Sequence, residues 1–113
     1  LSLLLVCILA SASAGQVTPD QAAKMLLDSA RRAYNEKNYS FARDRFREFL
    51  ARHGGHRDAA GARYGLALCL IEGPERDLAR AVEELNQLAG AKTLPEYPHV
   101  QYYSGFARRG LGV

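Results

Sequence analysis

With 113 residues, 48% hydrophobic and 24% charged side chains and only four prolines, the chain has the composition of one small globular domain, not of a disordered tail or a multidomain assembly. Its formal charge is +3, and turn signals do not recur at strand spacing, so almost no sheet is expected.

Residues 1–14, LSLLLVCILASASA, carry no charge and pass from an apolar run into small residues. This is the pattern of the core and exit of a secretory signal peptide, with cleavage expected before Gly15 or, nearly as well, before Ser13. The sequence opens on Leu1 without an initiator Met or a basic stretch, and is read as missing its front. Cys7 follows an apolar run, but Val6 is too large for a lipidation site and Ile8 and Leu9 continue the run. Cleavage after Ala14 removes Cys7 and leaves Cys69, which cannot form an intrachain disulfide and sits in LALCLI as a small buried thiol.

The first helix is predicted to open at Thr18-Pro19-Asp20-Gln21, where Thr18 caps, Pro19 fits the first turn and Gln21 lies three residues beyond the cap. Ala22, Ala23, Leu26, Leu27, Ala30, Ala33 and Tyr34 then form an apolar face to about Asn35. Glu36-Lys37-Asn38 holds no apolar residue, and Asn38 tolerates turn conformations, so the chain reverses into a second helix over 39–52, stopped by Gly54-Gly55. A third helix over 57–72 is rich in Ala and Gly. Gly61 and Gly65 each cost about 1 kcal/mol in an isolated helix, which marks them as packing contacts. Gly73-Pro74 ends it, and a fourth helix is expected over 75–89 with Leu78, Ala81, Val82, Leu85 and Leu88 on one face and Gly90 as its stop. After a loop holding Pro95 and Pro98, Val100, Tyr103, Phe106 and Ala107 begin a fifth helix that continues to Val113.

Two features invite chemistry. His53 and His56 flank Gly54-Gly55 with Asp58 near, but no Cys joins them, so no metal site is expected. Arg43, Arg45, Arg47 and Arg52 share one helix, with Asp44 and Glu48 interleaved, and read as a solvated face instead of a nucleic-acid surface. Glu72, Glu75, Glu83 and Glu84 read as ordinary solvated charges, and no nucleophile elbow, phosphate loop or dinucleotide fingerprint occurs.

From about Asp20 onward the chain resembles the tetratricopeptide repeat family. Ala30, Tyr39, Ala42 and Phe46 match the family's small and aromatic positions in one repeat, Gly65, Leu78, Ala81 and Leu85 match them in a second, and Gly105 opens a third. Ala30 to Gly65 is 35 residues, Ala42 to Ala81 is 39 and Gly65 to Gly105 is 40, against a family period of about 34. The large Trp and the Leu-Gly pair are absent, Leu26 and Ser29-Ala30 standing there, and Gly54 replaces the closing proline. In these departures the chain is similar to the divergent repeats of bacterial envelope proteins.

The resemblance implies an all-α, right-handed α-α superhelix of about two full repeats plus the first helix of a third. The first helices of successive repeats then line a concave groove for a partner peptide, presenting Lys24, Leu27, Arg31 and Tyr34, then Ala62, Leu66 and Cys69, then His99, Tyr102 and Phe106. Leu27 and Arg31 stand where chaperone-tail-binding members place clamp residues, so that specificity does not carry over. The function implied is a non-enzymatic protein-interaction scaffold of the cell envelope. It would be exported to the periplasm or beyond, with outer-membrane association open, and would need no cofactor, metal or nucleic acid. The rival reading is a helper domain of a larger enzyme or transport machine. Apolar residues on the fifth helix also leave room for self-association at that end.

Overall fold

The computed structural model describes residues 15–112, so the leader reading and Cys7 lie outside the described residues. Among the described residues five helices follow one another: α1 (Pro19–Asn35), α2 (Tyr39–His53), α3 (Ala59–Glu72), α4 (Leu78–Asn86) and α5 (Tyr97–Gly110). There is no strand among the described residues. Each helix packs against the next in antiparallel fashion, and α1 also touches α3.

Local chemistry accounts for most of the boundaries. Thr18 and Gln21 form a reciprocal capping box, each side chain accepting the other's backbone N–H, at 3.1 and 2.9 Å. At the far end of α1 the Lys37 N–H donates to the Tyr34 carbonyl and the Asn38 N–H to the Ala33 carbonyl, which closes the helix as a Schellman motif. The left-handed residue of that motif is Lys37, with φ of 61°, and Asn38, expected as the turn residue, instead precedes α2 at negative φ.

The third helix starts two residues later than the sequence predicts, at Ala59, because residues 56–58 are consumed in a turn. There the Asp58 N–H donates to His56 Nδ1 at 3.0 Å and the Ala59 N–H to the His56 carbonyl at 3.0 Å. The fourth is shorter than predicted. Asp77 caps it through the Arg80 N–H, and its own N–H donates to the Leu70 carbonyl at 2.9 Å, which fixes where α4 can begin. After Asn86 the chain continues in turns, which still bury Leu88. Pro98, read as part of a loop, lies in the first turn of α5, where a missing N–H is harmless. That helix closes at Gly110 instead of continuing to Val113, with Gly112 at φ of 78°.

The core runs through all five helices and is densest in α3. Every residue from Gly65 to Ile71 is buried, so the second half of this helix is covered on all sides, while Ala59, Ala60, Gly61, Arg63 and Tyr64 in its first half are half-buried. Leu66 and Leu70 from α3 join Leu27, Phe49 and Leu85 as the largest fully buried side chains, each worth about 1.5–3 kcal/mol of apolar burial. Gly65 is a packing contact as predicted: a Cβ there would sit 2.4 Å from the Phe46 ring. Ala42 and Ala81 are completely buried at corresponding places in α2 and α4.

The acidic residues correct the sequence reading. Glu84 is not solvated: its carboxylate is 4% exposed and bridges Arg63 of α3 at 2.6 Å and Arg80 at 3.2 Å. Glu72 and Glu75 are exposed but engaged across helices, Glu72 accepting from the Tyr34 hydroxyl and Glu75 pairing with Arg43. Of the four arginines on α2, Arg43 pairs with Asp44 and Glu75, and Arg45 and Arg52 share Glu48.

Candidate functional site

α1 and α3 lie alongside one another in parallel. Near the starts of α1 and α3, Asp20 accepts from Arg57 at 2.9 Å and lies 2.7 Å from His56 Nε2. At their ends Tyr34 donates to Glu72. Because His56 Nδ1 already accepts the Asp58 N–H, Nε2 carries the ring proton and donates it to Asp20. Arg57 first, then His56, holds the Asp20 carboxyl below its ordinary value. Tyr64 of α3 meets Tyr103 of α5 edge to face, ring centroids 6.4 Å apart.

Between these helices runs a cleft of about 210 Å³. Arg31, Tyr34 and Asn35 form its α1 wall, Gly61, Tyr64, Gly65 and Leu68 its α3 wall, the Phe46 ring its floor, and Glu96, just before α5, its lip. It continues into a second cleft of about 280 Å³, which shares Arg31, Gly61 and Glu96 and adds Arg57, Asp58 and the loop from Ala91 to Pro95. Gly61 shapes the join, since a Cβ there would lie 3.3 Å from Arg31 Nη2. A glycine read as a helix–helix contact therefore makes room for a cleft side chain.

Of the residues proposed for a groove, Arg31 and Tyr34 line this cleft. Leu27, Ala62, Leu66 and Cys69 are in the core and present no surface. Lys24 is exposed on another part of α1, beside Val17 and Met25. His99 and Tyr102 are exposed on α5, and Phe106 is half-buried beneath the Arg76 guanidinium. Burial pushes the Cys69 thiol up to about 12, with Glu72 adding to it, so the sulfur is held as an unreactive thiol.

The sequence reading missed Tyr64, Leu68 and Glu96. Carrying Arg31 and Tyr34 forward by 35 residues lands on Leu66 and Cys69, yet the cleft side of α3 is the stripe Gly61, Tyr64, Gly65, Leu68. Each residue turns a helix by about 100°, so an offset wrong by one exchanges cleft for core. The spacing i, i+3, i+4, i+7 of that stripe was the available signal.

Other chemistry is sparse. Among the described residues no group of three His, Cys, Asp or Glu side chains is placed to hold a metal ion, and no helix is long and apolar enough to cross a membrane. No family model, no curated protein and no solved structure matches this chain.

Proposed function

We propose that the chain is a protein-binding module of the tetratricopeptide type, which holds an extended segment of a partner in the cleft between α1, α3 and the loop that leads into α5. The supporting observation is the parallel pairing of α1 and α3 beside one continuous, partly apolar cleft, with complete burial of Ala42 and Ala81 at corresponding places in α2 and α4. Such an arrangement offers a partner apolar walls at Leu68 and Tyr64 and polar groups at Arg31, Asn35 and Glu96 for orientation. Export through the leader of residues 1–14 and a place in the cell envelope belong to the same proposal and rest on the sequence.

Selection of a displayed random-dodecapeptide library on the folded domain tests the reading. Selected peptides should lose at least ten-fold in affinity against Arg31→Glu, an exposed position whose replacement leaves the circular dichroism melt unchanged. Failure to select any peptide, or selection of peptides indifferent to Arg31→Glu, overturns it.

A further inference from the structure

We propose that the end of the cleft framed by Tyr34, Tyr64 and Glu72 takes a basic side chain, lysine or arginine, of the bound segment. This inference rests on the peptide-binding reading above and specifies what the peptide must carry.

Tyrosines of α1, α3 and α5 meet in this region. Tyr34 of α1 and Tyr64 of α3 line the same cleft, and Tyr103 of α5 packs edge-on against Tyr64. Glu72 accepts the Tyr34 hydroxyl proton, which brings a carboxylate to this aromatic group, and Glu96 supplies a second at the lip. Among the described residues neither Glu72 nor Glu96 has a cation within salt-bridge distance, although Glu48, Glu75, Glu83 and Glu84 all do. Burial first, then the hydrogen bond to Glu72, raises the Tyr34 phenol; burial and then the charge of Glu72 raise that of Tyr103; and burial, followed by Tyr103, Glu96 and Glu72, pushes Tyr64 up to about 12. The phenols therefore stay neutral, and Tyr34 and Tyr64 bring aromatic surface to the cleft.

Aromatic faces and unpaired carboxylates together attract a cation, the faces through their quadrupole and the carboxylates through charge. Arg31 lies on the same α1 wall, and Arg76 is held over the Phe106 ring at 5.6 Å. Arg31, one turn before Tyr34 on that wall, places a cation at the join of the two clefts, where Glu96 also lies. A segment carrying a basic residue at one end and an acceptor at the other then binds in one direction.

The library selection reads this out directly. Lysine or arginine should be enriched at one fixed position of the selected peptides. Changing that residue to glutamine in a synthetic peptide should weaken binding at least ten-fold, as should the double variant Glu72→Gln with Glu96→Gln. Glutamine at position 72 still accepts from Tyr34, so the fold is kept, and an unchanged melt checks this. Tetramethylammonium should compete with the peptide at millimolar concentration. Peptides that depend on Arg31 but show no basic enrichment, or that bind the double variant unchanged, overturn this inference and leave the groove reading standing. An absence of any cleft-binding peptide overturns both.

Discussion

The two helical hairpins solve the same problem with different turns. Between α1 and α2 three residues suffice, because the backbone closes on itself through the Ala33 and Tyr34 carbonyls and one residue accepts a left-handed conformation. Between α3 and α4 five residues, 73–77, are used, and the turn is held from outside itself. Asp77 reaches back to the Leu70 carbonyl, and Glu75 is gripped by Arg43 and by Ser40 of the other hairpin. A Cβ on Gly73 would lie 3.0 Å from Tyr39 Cβ, so the second turn rests against the start of α2. The first turn is an autonomous local structure; the second is a tertiary one, formed only when the hairpins are docked.

That contrast can be broken most severely at the docking surface. Phe46→Ala removes the ring that lies over Gly65 and should cost about 3–5 kcal/mol in urea unfolding, with both hairpins lost together. Gly65→Ala should cost about 1–3 kcal/mol by overpacking, and the double change Phe46→Leu with Gly65→Ala should recover part of it. An additive cycle would show that the ring and the glycine are not in register.

Smaller changes separate the turns. Asp77→Ala should cost about 1 kcal/mol through loss of the cap on α4. Lys37→Gly should stabilise by about 0.5–1 kcal/mol, since a left-handed residue without a Cβ carries less strain, and hydrogen exchange should show the gain confined to the end of α1. A loss of stability at position 37 would mean that the Lys37 side chain contributes more than its backbone costs.

Titration sharpens the comparison further. Cys69 and Tyr64 are raised to about 12 in the folded chain, from ordinary values of 9.0 and 10.0. The folded state therefore keeps protons that the unfolded chain releases. Stability from this source is complete below about pH 9 and is lost as the pH rises toward 12, a loss that Cys69→Ala should reduce in alkaline melts. In acid the sign reverses. Asp20 and Glu75, both lowered by arginine partners, tie the first hairpin to the second, and their contribution is present above their ordinary values of 3.8 and 4.5 and lost as the pH falls through the depressed ones. Both carboxyls are open to solvent, so the acid effect should be the smallest of the set.

The same distinction between local and tertiary structure decides how much was legible in the sequence. The opening of α1 and the five-helix order were readable, because caps, apolar stripes and glycine stops are local. The residue that turns left-handed at 37 was not, since Asn38 is intrinsically the better candidate and the placement depends on where α2 docks. Arg57 looked helical by propensity, but its guanidinium is committed to Asp20, 37 residues away. Glu84 lay on what looked like a charged stripe, and only the approach of Arg63 from α3 makes it interior. The cleft was half legible: Arg31 and Tyr34 come directly from the first helix, whereas the face shown by α3 belongs to a helix whose second half is buried all round, so that only the spacing of Gly61, Tyr64, Gly65 and Leu68 could orient it.

The Glu84 bridge has a consequence for the alignment of α4 along its neighbour. The apolar stripe of this nine-residue helix, Leu78, Ala81 and Leu85, repeats every turn, but slipping by about 5.4 Å would press a leucine into the place of the fully buried Ala81. The buried carboxylate adds a second check. Slipping by a turn would carry it away from Arg63 and strand a charge in the interior, so the ion pair acts as a detent that reinforces one longitudinal setting.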